Sequence, residues 1–224
     1  MTGECWNTHP VVLRTQAVKR DRSNRTIVRS AIDVKTWLAR VPSVEEVRPG
    51  QCPRCAAASR PVGRGLQIWG HGLRDRQSRG PLEPLGDPVE VTLRVRRYLC
   101  RPCRAVIVVV PLGVIAGRLF AAAAIGLALA LFGVDGLPLR EVRQRVNPWR
   151  RVGATAHGSW LAVRRWVRAI RDGRLFASVR QSPARFTARQ VAERSAMTLA
   201  ALAPPSLAHE GIVQRVFAGA ARAR

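Results

Sequence analysis

Acidic side chains and lysines are both scarce in this chain of 224 residues. Asp and Glu number 14 against 38 Lys and Arg, which gives a formal net charge of +24, and Lys19 and Lys35 are the only lysines. A GC-rich genome would explain arginine in place of lysine, but it would not make Asp and Glu rare. We therefore expect a polyanionic partner, nucleic acid, because neutralising its phosphates releases counterions. The planar guanidinium fork also suits phosphate oxygens and guanine edges.

Two kinds of apolar segment are also missing. The first ten residues hold no cationic region followed by an apolar run, so we expect no secretory signal and a reducing, cytoplasmic location. The most apolar stretch, 105–134, is divided by Arg118, and neither half reaches the about 20 residues that cross a bilayer. An arginine near the centre of a single span would cost about 2.5–3.5 kcal/mol. We predict a strand at 106–110 and a buried helix at 118–132, with a membrane span in 105–134 as the alternative.

Four of the five cysteines form two C-x-x-C pairs, Cys52 with Cys55 and Cys100 with Cys103. Two residues between cysteines let both thiolates of a pair converge on one ion, and two such pairs complete a closed tetrahedral zinc site. A redox role, the alternative, needs only one such pair. The sequence therefore predicts one structural Zn²⁺ on these four cysteines, with no open position for a substrate water.

The 44 residues between the two pairs exceed the about 15–20 that are usual for such a site. Residues 65–70 and the cleanly alternating 89–99 predict two strands, which would place the second pair at the end of a hairpin. Residues 73–88 contain turn residues and arginines without an apolar period. We expect them to form an exposed basic loop that carries Arg74 and Arg76 to DNA.

Three further metal-binding side chains are not needed for this site. Cys5 is interpreted as a free thiol, although Cys5 and His9 could form a second half-site. His71 lies between two glycines. Because four thiolates already complete the coordination, we expect His71 to lie in a turn or to face a phosphate.

Two helices that could contact DNA are predicted after the apolar stretch. Pro138 suits the first position of a helix that runs to about Val146. Ser159 suits the N-cap of a second helix, which runs to Asp172 and stops at Gly173. The second helix has an apolar stripe on one side and arginines on the other, as a recognition helix requires. The stripe consists of Val163, Trp166, Val167 and Ile170.

The arginines around these helices form the predicted DNA contacts. On the second helix they are Arg164, Arg165, Arg168 and Arg171. The arginines before that helix would bind phosphates and fix the position of the protein without reading sequence; they are Arg143, Arg145, Arg150 and Arg151. The two helices are separated by 12 residues. A helix-turn-helix motif has a turn of about three or four residues, so the spacing departs from that motif.

The cysteine region resembles the N-terminal zinc ribbon of bacterial insertion-sequence transposases, and most closely a group of transposon-associated zinc-ribbon proteins. The resemblance lies in Pro49-Gly50-Gln51-Cys52-Pro53-Arg54-Cys55, Gly70-His71-Gly72-Leu73-Arg74, Arg96-Arg97-Tyr98-Leu99-Cys100-Arg101-Pro102-Cys103 and Val109-Val110-Pro111. In those proteins the ribbon precedes a helix-turn-helix-like region, similar to 118–175 here. The resemblance implies that the four cysteines are ligands and that the helix at 159–172 faces DNA.

Transposases of that kind cut DNA with an acidic triad that holds divalent metals on a ribonuclease-H-like domain. Only about 50 residues follow Asp172, and their acidic residues are Glu193 and Glu210. We therefore expect no enzymatic activity from this chain and no small-molecule substrate.

The predicted fold class is α+β, a small zinc-ribbon β-hairpin module followed by an all-α helix-turn-helix-like bundle. The predicted regions are an arm with a short helix or strand at 1–48, the zinc ribbon at 49–112, the helical DNA-binding region at 113–180 and a basic, partly helical or disordered tail at 181–224. The predicted function is zinc-dependent binding of double-stranded DNA in the nucleoid, in association with a mobile element and its transposase. The alternatives are a membrane-associated protein and a zinc-ribbon adaptor that binds other proteins.

Overall fold

The computed structural model describes residues 25–149 and 160–223, and within them the protein is α+β. The four strands are β1 Arg25–Asp33, β2 Ile68–Pro81, β3 Pro88–Cys100 and β4 Val106–Leu112. The six described α-helices are α1 Val34–Ala39, α2 Ala122–Gly133, α3 Leu139–Val146, α4 Ala162–Arg171, α5 Ala188–Ala200 and α6 Ile212–Arg222. A short 3₁₀ turn, Pro205–Leu207, connects α5 to α6. The predicted α+β class is confirmed.

The strands form one mixed sheet in the order β1-β4-β3-β2. β1 runs parallel to β4, and the other two pairings are antiparallel. β2 and β3 have 14 and 13 residues. At about 3.3 Å per residue, this hairpin is about 40 Å long. One end carries Cys100 and the other reaches the helices, so the hairpin connects the two halves of the molecule.

Of the predicted arm at 1–48, expected to contain a short helix or strand, residues 25–39 form both β1 and α1. The predicted strands at 89–99 and 106–110 correspond to β3 and β4. The predicted helix at 118–132 is present as α2, which begins later because residues 113–121 form a connecting segment. The apolar stretch is thus one strand and one separate helix. No helix in 25–149 or 160–223 combines the length and apolarity needed to cross a membrane.

The prediction of an exposed basic loop at 73–88 is wrong. Arg74 pairs with Val95 and the ladder continues to Pro81 opposite Pro88, which leaves only residues 82–87 as the turn. β2 is an edge strand, and edge strands often carry charged side chains because one edge and much of their surface meet water. Its polar sequence therefore lacks the apolar alternation by which strands are recognised.

Buried apolar residues form two clusters, one in each half of the molecule. The sheet cluster contains Trp37, Tyr98 and the two buried cysteines, Cys52 and Cys100. Trp37 is fixed over the sheet by a 3.0 Å hydrogen bond from Nε1 to the carbonyl of Arg94. The helical cluster is built from α2 to α6 and is rich in alanine.

Glycines let α2, α5 and α6 approach closely. A Cβ added to Gly126 of α2 would lie 2.4 Å from the Cβ of Ala220, and one added to Gly133 would lie 2.3 Å from the N of Glu193. On α6, a Cβ at Gly219 would lie 1.8 Å from the carbonyl oxygen of Leu199. Residues predicted as a partly helical or disordered tail therefore include two helices that complete the core around α2.

The far end of the hairpin is pinned to α2 at Gly80. Its φ of +117° is a conformation that side chains rarely adopt, and an added Cβ would lie 2.2 Å from the Cβ of Ala124. α3 packs against the same hairpin and α2, whereas α4 packs against α2 and α5. Residues 147–161 separate α3 from α4, so these helices are not joined by the short turn of a helix-turn-helix motif.

Candidate metal centre and basic surface

The two C-x-x-C segments adopt the same backbone fold. In the first segment, the N–H of Cys52 donates to the carbonyl of Ala57, and the N–H of Ala56 donates to the carbonyl of Cys52. In the second, the N–H of Cys100 donates to the carbonyl of Ala105, and the N–H of Arg104 donates to the carbonyl of Cys100. These distances are 2.8 and 2.8 Å at Cys52, and 2.9 and 2.8 Å at Cys100. The residue after the second cysteine is left-handed in both, with φ of 57° at Ala56 and 59° at Arg104. Two equivalent knuckles therefore face each other.

Backbone hydrogen bonds hold the two knuckles in register. Ser59 N–H donates to the carbonyl of Gly50 at 2.7 Å, and Gln67 N–H donates to the carbonyl of Ser59 at 2.8 Å. Arg101 N–H in the second knuckle then donates to the carbonyl of Gln67 at 2.8 Å. The segment between the first knuckle and β2 is thereby tied to the second knuckle, which continues directly from β3.

All four Sγ atoms lie within 4.8 Å of one another. The Sγ atoms of Cys52 and Cys103 are 3.6 Å apart, and those of Cys55 and Cys100 are 3.7 Å apart. A disulfide requires about 2.05 Å, so these are four free thiols. With Zn–S bonds of about 2.3 Å, a tetrahedral ZnS₄ centre has sulfur–sulfur edges of about 3.8 Å. The predicted clustering of the cysteines is confirmed, and the site has the size of a tetrahedral metal centre.

Burial alone favours the neutral thiol form of two of the four cysteines. Burial raises the pKa of the Cys100 thiol well above its ordinary value, and burial likewise raises the pKa of Cys103. Burial also acts to raise the pKa of Cys55, but a hydrogen bond from the backbone N–H of Ala57 and contacts with the other thiols lower it overall. A metal ion would supply the positive charge that keeps all four sulfurs deprotonated.

The donor set determines what such a centre could do. Four thiolates suit Zn²⁺ or an iron ion in tetrahedral geometry. They leave no open coordination position, so the metal would act as a structural cross-link between the knuckles. Cys52 and Cys100 are buried and belong to the sheet cluster, which makes the centre part of the core.

His71 is outside this group of ligands. It is exposed on β2, in a bulge where His71 and Gly72 interrupt the regular pairing with β3. Gly72 has a φ of 83°, which glycine adopts readily. The predicted role of His71 at a turn is thus replaced by a position in a bulged strand. Cys5 and His9 lie outside the described residues.

The arginines of α4 divide into two groups. Arg164, Arg165 and Arg168 are exposed, while the predicted apolar stripe of α4 is buried against the helical core. Arg171 was expected on the outward face, and this prediction is wrong. The residue is half-buried, and its guanidinium donates to the carbonyl of Phe186. Arg171 therefore ties α4 to the segment before α5.

The remaining predicted DNA contacts are spread over the chain. Arg145 is exposed on α3, and Arg143 donates to the carbonyl of Trp149 at 3.2 Å. Arg74 is exposed on β2. Arg150 and Arg151 lie outside the described residues.

Arg76 has an internal role instead of the exposed one predicted. Its guanidinium donates to the carbonyls of Ile115 and Arg118, at 2.7 and 3.3 Å. Burial lowers the pKa of Arg76. Arg76 holds the segment between β4 and α2 onto the hairpin, so its guanidinium is engaged within the protein.

Two features of the surface were missed by sequence reasoning. Arg79 and Glu90 form a 2.6 Å ion pair, Arg79 lies over the ring of Trp149, and Trp149 Nε1 donates to Glu90 at 2.9 Å. This contact joins the hairpin to the end of α3 and had no local sequence signal. Trp69 is 52% exposed on β2. Its exposure could have been inferred from the sequence, because Trp69 follows the buried Ile68 in the strand and its indole therefore lies on the opposite face.

Compared with protein-family models, with curated proteins and with known structures, the chain gives no match.

Proposed function

We propose that the chain is a DNA-binding protein in which one structural Zn²⁺ on Cys52, Cys55, Cys100 and Cys103 orders the sheet and the helical half binds double-stranded DNA. The mobile-element association, with a transposase as second partner, rests on the resemblance of the cysteine region alone. The protein would act in the nucleoid as an accessory or regulator of transposition, or as the DNA-binding half of a transposase.

The observation that carries the proposal is the charge of α4. Arg164, Arg165 and Arg168 are exposed, and no acidic side chain among the described residues forms an ion pair with them. The nearest acidic residue in sequence, Asp172, is paired instead with Arg174. Neighbouring like charges on a helix repel each other, so this face gains stability when an anion lies against it.

The rest of α4 is suited to presenting that face. Its hydrophobic side is buried, and Trp166 packs edge-to-face with Phe120 and Trp160 at centroid distances of 5.2 and 5.4 Å. The helix is therefore anchored rigidly, which keeps the arginines in fixed positions. With its long connection to α3, α4 would be a recognition helix of a helix-turn-helix-like arrangement and not of the strict motif.

The test is the affinity for a random 20-base-pair duplex as a function of salt, measured by fluorescence anisotropy. If both arginines contact phosphates, Arg164→Ala with Arg168→Ala should reduce the slope of log K against log salt by about 1.8. The affinity of the double variant for the duplex at low salt should also fall. The four-cysteine site should be unaffected, and the melting temperature should not fall, because both side chains are exposed and their removal relieves repulsion.

A charge-matched control is Arg40→Ala with Arg60→Ala. Both are exposed, but they are paired with Glu46 and Glu45 at 2.7 and 2.6 Å. If the control reduces the salt slope as much as the α4 double variant, affinity reflects net charge only and the role of α4 is disproved. No duplex binding by the wild-type chain would leave the adaptor alternative.

A further inference from the structure

The sheet has one face that is open near the metal centre. Pairing places Trp69 beside Leu99, Leu99 beside Val106, and Val106 beside Arg25, so one row crosses all four strands. Residues in one row lie on the same face of a sheet. Trp69 and Arg25 are exposed, and the two aliphatic residues between them are half-exposed. The opposite face is covered, for example where Tyr98 donates its hydroxyl to the carbonyl of Val44 at 2.7 Å.

The second row adds an arginine to this face. Arg97 lies next to Val108, and Val108 next to Ile27, two residues along each strand from the first row. Val108 is buried, so this row borders the open face. Arg97 is half-buried, and its Nε is buried without a hydrogen-bond partner among the described residues. Because that Nε is closed to an incoming ligand, Arg97 adds positive charge to this face and is not counted on for a direct hydrogen bond.

The indole of Trp69 is held in place and left open. Its Nε1 donates to the carbonyl of Leu66 at 2.7 Å, which satisfies its one polar group. Half of the side chain nevertheless faces solvent, at 52% exposure. A fixed aromatic ring loses little conformational entropy when a flat ligand stacks on it.

The charge around this face has one sign. Residues 49–74 and 91–134 contain arginines but no Asp or Glu. Arg101, beside the second knuckle, and Arg74, further along β2, are exposed. Exposed arginines therefore lie on the same strand as Trp69 and on the adjoining knuckle, a combination by which proteins bind single strands: bases stack on the ring and phosphates lie on the arginines.

We propose that this open face, defined by Trp69, Leu99, Val106, Arg25 and Arg97, binds single-stranded DNA. A duplex hides the faces of its bases inside the stack, so Trp69 can stack only on an unpaired base. The inference deepens the proposed function and rests on it: the helical half binds the duplex and the zinc half binds a neighbouring unpaired strand. Such a partner is a junction between double- and single-stranded DNA.

The experiment uses the full zinc-loaded chain with a fluorescein-labelled dT12 strand and a 20-base-pair duplex. Trp69→Ala should weaken dT12 binding at least about fivefold, since stacking on one aromatic ring contributes about 1–3 kcal/mol per base. Trp69→Phe should retain most of the affinity because a phenyl ring still stacks. Duplex affinity should change less than twofold in both variants.

The matched control is Leu85→Ala, which removes another exposed apolar side chain, 78% exposed, in the turn at the opposite end of the hairpin. It should leave dT12 affinity unchanged. Equal dT12 affinity for Trp69→Ala and the wild type would overturn the inference, as would parallel losses for dT12 and duplex. Tighter binding of a uridine RNA of the same length would assign the face to RNA instead. Absence of duplex binding with intact Trp69-dependent dT12 binding would disprove the α4 proposal alone.

Discussion

The two ends of the β2–β3 hairpin are stabilised by different means. At the Cys100 end, the core contains two cysteines, and the knuckles around them are short loops linked by a few backbone hydrogen bonds. At the Pro81 end, Gly80 lies in contact with α2, and the helices pack through alanine and glycine. With the proposed Zn²⁺ bound, the first end would depend on the metal ion to neutralise and join its parts. The second end depends on close packing and would fold without one.

This difference assigns the two proposed binding surfaces to two separately stabilised units. α4 belongs to the helical cluster, and Trp69 belongs to the sheet near the metal centre. Loss of the metal should therefore affect single-strand binding before duplex binding. The hairpin is long enough to hold the two surfaces apart, so that one DNA molecule could meet both.

Removing the metal should have the largest effect, and it should act on the Cys100 end alone. Structural zinc contributes about 10–16 kcal/mol to the folding of small zinc modules. A chelator should abolish hydrogen-exchange protection of the Cys52 and Cys100 amides, which donate to backbone carbonyls in the knuckles. Protection in α2, α5 and α6 should persist. Zinc quantification by mass spectrometry should give one ion per chain before chelation.

Cys52→Ser should reproduce the effect of chelation without a chelator, and Cys5→Ser serves as the matched substitution outside the four-cysteine site. The Cys5 variant should retain one metal ion per chain. If amides of both halves lose protection together after chelation, the molecule is a single cooperative unit and the division into two units is wrong.

The helical end should be most sensitive to added volume. Gly219→Ala would place a Cβ 1.8 Å from the carbonyl oxygen of Leu199, a backbone atom that cannot move aside. We expect destabilisation of about 3 kcal/mol from overpacking. That corresponds to a fall in melting temperature of about 6–12 °C. Metal content and protection of the Cys100 amide should be unchanged.

Gly65→Ala is the control in the other half, because no atom lies within 4 Å of the added Cβ. Its melting temperature should match that of the wild type. A tolerated Gly219→Ala would mean that α5 and α6 pack less closely than the structure shows.

Sequence reasoning succeeded where the signal was local. Two C-x-x-C pairs and the alternation of β3 specify their own geometry, so the four-cysteine cluster and that strand could be predicted. β2 was predicted only at its start, where the expected strand at 65–70 overlaps residues 68–70; the rest of this edge strand is polar and is defined by its pairing with β3. α6 was missed because glycine and alanine give a weak hydrophobic signal, and Gly219 becomes informative only once Leu199 is known to lie against it. The inward position of Arg171 likewise depends on a distant carbonyl, that of Phe186.

The smallest predicted effect concerns the knuckles themselves. Ala56 has a φ of 57°, and a left-handed residue with a Cβ costs about 1–2 kcal/mol. Ala56→Gly removes that cost. Glycine also increases the conformational entropy of the unfolded chain, which lowers the free energy of unfolding by about 0.4–1 kcal/mol. The net stabilisation should be about 0.5–1 kcal/mol, since the first effect exceeds the second.

If folding of the knuckles is coupled to metal binding, as the proposed zinc site implies, this gain should appear as zinc affinity about two- to fivefold higher in a competition with a chelator. Ala58→Gly is the matched control two residues away, where Ala58 bridges to Gln51 in extended pairing. There glycine only adds freedom to the unfolded chain, so zinc affinity should fall. Opposite signs at the two positions would show that the left-handed turn limits the stability of the metal end. Equal losses would mean that Ala56 is not strained and that the two knuckles gain their order from the metal alone.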